Sequence, residues 1–568
     1  MICLFLVYRF YSKFLAKYIY KTETDEITPA VEINDGMDYV PTKKHVLFGH
    51  HFSSIAGAAP ILGPAIAIIW GWLPALLWIV LGSIFMGAVH DYGALVISTR
   101  NKGMSIGSIT EKPIGKRSKI LFMAIIFLLV LLVIAVFAYI IARLFINYPG
   151  TVIPINFQII IAIFIGWWTY KKKKNLLIPS IIALLLLYMM IYIGFLYPVH
   201  LPESMWIGGS ELMTWIVFLM VYGFIASVLP VWTLLQPRDY INSHQLIVSL
   251  LCIFIGIFVA QPIMDAPAVN LSGNTMSWFP FLFITIACGA LSGFHSLVSS
   301  GTTSKQLDKM KNARMIGNGG MITEACLAVA ATIAVAAGFE SADAWYAHYN
   351  SFEAAKGLGP KLSAFVDSTA SFLAEIGITQ TITDNMGNTR NLAAVFISVM
   401  VISFAATSLD TAIRIQRYII GELGESINIL RFPKTWRFRK SGNRYLHSGL
   451  AVLFSFGLIL SDGTGADGLR LWPLFGSTNQ LLSSLALLVI SVWLFKNKNR
   501  YLPTLIPMIF ITLVSFVATY FNLLNYFEND NWLLVVIAFV IGVCQLWIIF
   551  EGIKAFTFRE SKEHNLAN

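Results

Sequence analysis

Three carboxylates stand inside apolar runs, where a charge is expensive. Asp91 lies in GAVHDYGAL, Glu324 in GGMITEACLAV and Asp410 in ATSLDTAIRIQR. Withdrawal from water favours the protonated form of a carboxyl group, which suits reversible proton exchange. A histidine pair, His50 and His51, opens the stretch HHFSSIAGAAPILGP and adds imidazoles that can carry a proton near neutral pH. Asp91, Glu324, Asp410, His50 and His51 are therefore the candidates for proton coupling. His90 precedes Asp91, but helix neighbours diverge by about 100°, so these two side chains are expected to face apart. Arg414 follows Asp410 at the i,i+4 spacing of a local ion pair, which is the structural alternative to a proton role for Asp410.

A second group suits gating. QPRDYIN places Arg238 beside Asp239, either as an inner gate or as a surface turn that neutralises itself. SGFHSLVSSGTTSKQL carries His295, Ser300 and Thr302 in a run of small hydroxyl residues. That run lacks the GxxxxGK[ST] pattern of a nucleotide site, and neither HExxH nor GxSxG falls in a suitable segment. The histidines have no metal-ligand spacing. The cysteines Cys3, Cys252, Cys288, Cys326 and Cys544 form no CxxC pair, so no metal, cofactor or disulfide framework is expected. LWPLFGSTNQLL, with Trp472, Pro473, Asn479 and Gln480, reads as aromatic anchoring and helix packing.

The surroundings of these residues fix the protein class. Of 568 residues, 57% are hydrophobic and 12% charged, about half the charged share of a soluble domain. The mean hydropathy is +0.71. This is the composition of a polytopic membrane protein. The excess of basic over acidic residues, 40 to 30, fits cytoplasmic loops rather than a nucleic-acid partner. Apolar runs mark about fifteen spans: 1–18, 53–71, 73–99, 120–142, 155–170, 175–197, 212–235, 244–261, 278–300, 318–338, 391–411, 446–461, 471–495, 502–525 and 532–552. Basic loops (9–44, 100–119, the Lys171–Lys174 tetrad, 301–317, 412–446) alternate with acidic or uncharged ones (198–211, 262–277, 339–390, 462–468, 526–531). The alternation puts the N-terminus outside and the C-terminus in the cytoplasm. MICLFLVYRF reads as a short first span rather than a signal peptide. Loop 339–390 is too long to be structureless; KLSAFVDSTASFLAEIG within it predicts an amphipathic helix, lying at the membrane edge or serving as a lid.

Glycine and proline break the pattern where a helix should enter the membrane. Freed backbone groups at that depth need protein cover or a wet cavity, and carriers use them to hold substrate. Gly57, Ala58, Ala59, Pro60 and Gly63 in the first broken span are candidate substrate contacts, as are Gly223 and Ser227 in LMVYGFIASVLPVWTLL. If the second stretch is also broken, the two spans head five-helix inverted repeats. The expected organisation is 1–52 as first span and linker, 53–200 as first repeat, 201–412 as second repeat and 413–568 as basic loop plus extra spans. The fold class is an all-α, leucine-transporter-like membrane bundle.

The strings GMDYVPTKKHVLFGHHFSSIAGAAPILGP, VLPVWTLLQPRDYIN, FPFLFITIACGALSGFHSLVSSGTTSKQL and LWPLFGSTNQLL, in this order, resemble the carbon starvation protein A family. The resemblance spans about residues 30 to 500. It implies an inner-membrane transporter of the amino acid–polyamine–cation class. Such a protein imports peptides, or pyruvate with protons, when preferred carbon is scarce. The implied partners are that substrate, protons and the lipid bilayer. The chain departs from its larger relatives at His90, where they carry Gln, at Ala59 in SIAGAAP, and in a compressed 339–400 region. It reads as a short branch. A nutrient sensor on a transporter-like fold is the alternative of another class, and oligomeric state stays open.

Overall fold

Backbone polar groups that leave water must be satisfied within the segment, and this chain does so with helices. The computed structural model describes residues 1–172, 176–270, 277–351, 358–383, 389–427, 442–460 and 471–557. Lys173 and Lys174, the basic residues within 428–441, and loop 462–468 lie outside the described residues.

Among the described residues, 12 helices are long and apolar enough to cross a membrane. They coincide with twelve of the expected spans. The other three have different forms. Residues 1–18 form the helix Ile2–Phe14 and a π-turn, Leu15–Ile19. Of 446–461, residues 446–459 fall in the 18-residue helix Gly442–Ile459, and Ser461 lies outside the described residues. Residues 278–300 are a broken span, made of the helix Trp278–Thr285, a non-helical stretch and the helix Gly293–Val298.

The first expected break is present. The helix Lys44–Ala56 ends at Gly57, and Ala59–Ala67 starts afresh after it. The second lies elsewhere than expected. Glu211–Val228 is one continuous helix; Gly223 sits inside it against Ile413, and the Ser227 hydroxyl bonds back to Phe224 O. Pro230 falls in the turn before Leu235–Ala260, where its missing N–H disrupts no helix. The span that breaks at membrane depth contains Gly289, at φ +92°, and Gly293.

Packing follows from these breaks. Lys44–Ala56 lies against Leu235–Ala260, and Gly293–Val298 lies against Trp472–Lys496. The long helices Lys116–Asn147 and Leu392–Ile427 run along each other. The broken spans cross in close contact. A side chain on Gly63 would stand 2.6 Å from Thr285 O.

The 339–390 region carries the helices Ala342–His348 and Leu358–Glu375 and a hairpin pairing Thr381–Thr383 with Thr389–Asn391. The predicted apolar stripe, Leu362, Phe365, Val366, Phe372 and Leu373, is buried. It packs on Leu235–Ala260, Leu392–Ile427 and the half-helix Ala59–Ala67. Tyr349 donates its hydroxyl to Ala65 O at 2.6 Å. The buried Lys361 ammonium stands 3.9 Å from the Tyr349 ring centre and donates to His348 O at 2.9 Å. The region is thus a cap docked on the first broken span.

Candidate functional site

At the first break Gly57 adopts φ +49°, and a side chain there would come within 2.8 Å of Ser408 Oγ. Ser408 donates to Ser54 O at 2.9 Å, capping a carbonyl at the end of Lys44–Ala56. The N-cap residue of the following half-helix, Ala58, provides no side-chain cap, and Pro60 occupies its first turn. Gly57, Ala58, Ala59, Pro60 and Gly63 therefore share one place, the break and its crossing with the second broken span.

At the second break the Trp472–Lys496 helix supplies the missing partners. Asn479 Oδ1 accepts from Phe294 N–H at 2.8 Å, and Asn479 Nδ2 donates to Ser292 Oγ at 3.0 Å. Gln480 Nε2 donates to Phe283 O at 3.1 Å. Read from sequence as packing residues only, these two side chains cap both halves of a broken helix. The polar TNQ triplet in an apolar run was the available signal.

Next to this break Asp91, His295 and Glu324 come together, all without solvent exposure. His295 Nδ1 lies 2.8 Å from Asp91 Oδ2, and His295 Nε2 lies 3.2 Å from Glu324 Oε2. Glu324 Oε1 accepts from Gly289 N–H at 3.1 Å, which ties the triad to the break itself. Contrary to the sequence expectation, His90 Nδ1 does reach Asp91 Oδ1, at 2.7 Å. The short Asp side chain offers two oxygens, so one serves the adjacent residue and the other a distant helix. The π-turns Ser83–Gly87, Ser299–Thr303 and Arg314–Asn318 adjoin the three triad members; such turns recur at functional sites.

Each ring nitrogen of the His295 imidazole faces one carboxylate oxygen. Removing its second proton sets a lone pair against a carboxylate oxygen unless that oxygen gains the proton. The arrangement can thus hold and pass a proton. The sulfur, nitrogen and oxygen donors of Cys288, His295 and Glu324 also lie within 4.8 Å of one another, a grouping with no sign in the sequence spacing. Cys288 donates to Ser292 Oγ at 3.3 Å, whereas His295 Nε2 and Glu324 Oε2 face each other at 3.2 Å as an ion pair without a hydrogen bond.

A second buried chain joins the remaining candidates. His50 Nδ1 is 2.6 Å from Asp239 Oδ2, Arg238 Nη2 is 3.4 Å from Asp239 Oδ1, and Arg238 also pairs with Asp410. Tyr222 donates to Asp410 at 2.7 Å. Arg238 and Asp239 therefore belong to the interior, not to a surface turn. The local Asp410–Arg414 pair does not form. Arg414 instead reaches Asp38 at 2.9 Å and donates to the carbonyls of Ala226 and Leu229, while Arg238 and Tyr222 share Asp410 Oδ2. His50 Nε2 meets Thr302 Oγ1 at 3.3 Å and His51 Nδ1 meets Thr303 Oγ1 at 2.9 Å. Two consecutive residues of one broken span are thus latched to two of the other. Ser300 lies apart from this latch. It donates to Ser296 O at 2.6 Å and accepts from Ile106 N–H at 3.0 Å.

Residues 36–42 bind the turn before Leu235–Ala260 and the stretch that follows the latch threonines. Met37 O accepts from Val231 N–H at 3.1 Å, and Thr42 N–H donates to Gln306 O at 3.0 Å. Asp38 bridges Arg414 and Arg417 at 2.9 and 3.1 Å. Burial pushes the Asp38 carboxyl up, but the Arg417 and Arg414 guanidiniums, with Lys305, hold it well below the usual carboxylate range.

Known proteins share this chain's sequence and fold. The family model described as "Carbon starvation protein CstA" matches residues 1–364 and 352–518. A Mycobacterium tuberculosis protein named "Peptide transporter CstA" is 35% identical over 91% of this chain and 74% of its own length. An Escherichia coli protein named "Pyruvate/proton symporter BtsT" is 32% identical over 90% of this chain and 79% of its own. Among solved structures, a manganese transporter mutant from Eremococcus coleocola has TM-score 0.51 at 13% identity, covering 92% of this chain and 99% of that one. This likeness shows a shared fold only. The broken spans, the long paired helices and the sequence agreement lead to one conclusion: the chain belongs to the carbon starvation protein CstA family.

Proposed function

We propose that this protein is a proton-coupled secondary transporter that imports peptides across the inner membrane, with its N-terminus outside and its C-terminus in the cytoplasm. The observation that carries the proposal is the buried Asp91–His295–Glu324 chain, set against the break of a broken span. A proton arriving on Glu324 neutralises it and weakens its hold on His295. The half-helix Gly293–Val298 and the Gly319–Ala337 helix are then free to separate. The start of Ala59–Ala67, which has no side-chain cap, offers amides and a positive helix end to a substrate carboxylate. The His50–Asp239–Arg238–Asp410 chain and the His–Thr latch form the inner gate. The second repeat, in this reading, runs from residue 278 to 496, and two additional helices lie within the first.

Pyruvate is the second reading, favoured by the relative named a pyruvate/proton symporter. Peptides and pyruvate share the carboxylate that the half-helix would bind. The test is uptake by purified protein in liposomes under an inward proton gradient, with labelled pyruvate and labelled di- and tripeptides offered in parallel. Accumulation of peptide that collapses when the gradient is dissipated supports the proposal. Accumulation of pyruvate alone transfers it to the second reading. Binding without accumulation of either turns the assignment toward a sensor.

A further inference from the structure

The motif LWPLFGSTNQLL is not used by the transport scheme above, yet its polar pair touches both ends of the second break. We propose that Asn479 and Gln480 are positioning residues that hold the second broken span open and thereby aim His295 at Asp91 and Glu324. The proposal rests on the proton-coupling reading and adds residues that touch neither proton nor substrate.

Three observations support it. First, the two side chains serve opposite needs. Asn479 Oδ1 accepts a hydrogen bond from the first turn of the inner half, and Gln480 Nε2 donates one to a carbonyl of the outer half. The backbone groups of a broken helix need such partners at membrane depth. Second, the helix carrying them approaches at backbone contact. A side chain on Gly293 would meet Asn479 O at 2.3 Å, and one on Gly476 would meet Ile284 O at 2.8 Å. The contact therefore fixes the position of Gly293–Val298, not merely its neighbourhood. Third, His295 is the residue after Phe294, whose amide Asn479 holds, so a tilt of that turn moves the imidazole directly. Asn479 also donates to Ser292, which itself bonds Cys288. The titratable groups around His295 are Asp91 and His90 on one span, Glu324 on another, Cys288 in the break and His51 on the first broken span. Asn479 itself has no titratable proton.

The test compares the pH profile of gradient-driven uptake in liposomes for the natural chain, Asn479→Leu, Asn479→Asp and Gln480→Met. The Asp variant keeps the acceptor for Phe294 N–H. Positioning predicts that Asn479→Leu and Gln480→Met move the half-maximal pH by about 0.5–1 unit, the scale of one lost hydrogen bond. The substrate KM should stay within twofold, and Asn479→Asp, which keeps the acceptor but adds a carboxyl that titrates, should recover the uptake rate while its midpoint still differs from the natural chain. An unchanged midpoint with a lower maximum rate would assign both residues a purely structural role and overturn the proposal. If Asn479→Leu fails to elute as a single folded species, Gln480→Met decides alone. Absence of gradient dependence in the natural chain would instead sink the proton-coupling reading.

Discussion

His50 Nδ1 and Asp239 Oδ2 stand 2.6 Å apart, both without solvent exposure, although 189 positions separate them in sequence. The bond ties the inner half of the first broken span to the Leu235–Ala260 helix, and Thr302 completes the imidazole's contacts from the second broken span. One side chain thus links three segments, which in the proposed transport cycle part when the gate opens.

Replacing both Thr302 and Thr303 by Val removes two hydroxyl partners from the histidine pair at nearly constant volume. Each lost bond costs about 1 kcal/mol of the inner-closed state. Efflux from preloaded liposomes should quicken several-fold, with substrate affinity measured from outside little changed.

Asp91→Asn keeps the shape at position 91 and removes its charge. Gradient-driven accumulation should fall at least about tenfold, whereas exchange of labelled for unlabelled substrate at equilibrium should persist. Full accumulation with unaltered pH dependence in this variant would remove Asp91 from the coupling path.

Gly63→Ala tests the crossing of the two broken spans. Its added methyl would sit 2.6 Å from Thr285 O, a backbone atom, while nothing stands within 4 Å of one on Gly457. The Gly63 variant should lose transport or melt earlier by about 1–3 kcal/mol; Gly457→Ala should behave as the natural chain. Melting curves and uptake on the same preparations decide it.

Asp38→Asn should loosen residues 36–42 by about 2 kcal/mol, the worth of hydrogen bonds to a charged group. The carboxyl is held below its unfolded value, so its contribution is present above about pH 4 and fades as pH falls below that value. The difference in melting temperature between variant and natural chain should be full at neutral pH and shrink in acid.

Lys361 makes the cap respond in the same direction, but over a higher pH window. Burial pulls its ammonium down to about 7, against about 10.4 in an unfolded chain. Between these values the undocked cap binds more protons, so docking strengthens as pH rises. Hydrogen exchange in Ala342–His348 and Leu358–Glu375 should slow from pH 7 to 10 after correction for intrinsic rates. Lys361→Met should remove that dependence.

Much of this was legible in sequence because charge and apolarity act locally. Apolar runs marked the spans, and Gly57 with Pro60 marked the first break. Asp91 and Glu324 stood out as carboxylates where lipid or protein replaces water. Their partner did not, since His295 reaches them from 204 positions beyond Asp91. The second break was sought at Pro230, but a proline past a helix end costs nothing there. The true break relies on glycines and on side chains of another helix, and neither has a local pattern. His90 was misjudged because helical spacing describes Cβ directions, not how far a two-oxygen carboxylate can share itself.

The π-turns beside Asp91, His295 and Glu324 bear on how such a site can change without unfolding. Each holds one residue more than an α-helical turn, and that extra residue can migrate along its helix by exchanging one hydrogen bond at a time. A single such step swings the side chains it passes by about 100° and shifts them about 1.5 Å along the axis. Asp91, His295 and Glu324 lie four, four and six residues from these turns (87 to 91, 295 to 299, 318 to 324), so a run of such steps would reach them and turn them away from one another, tooth by tooth, while the helices that bear them stay in place.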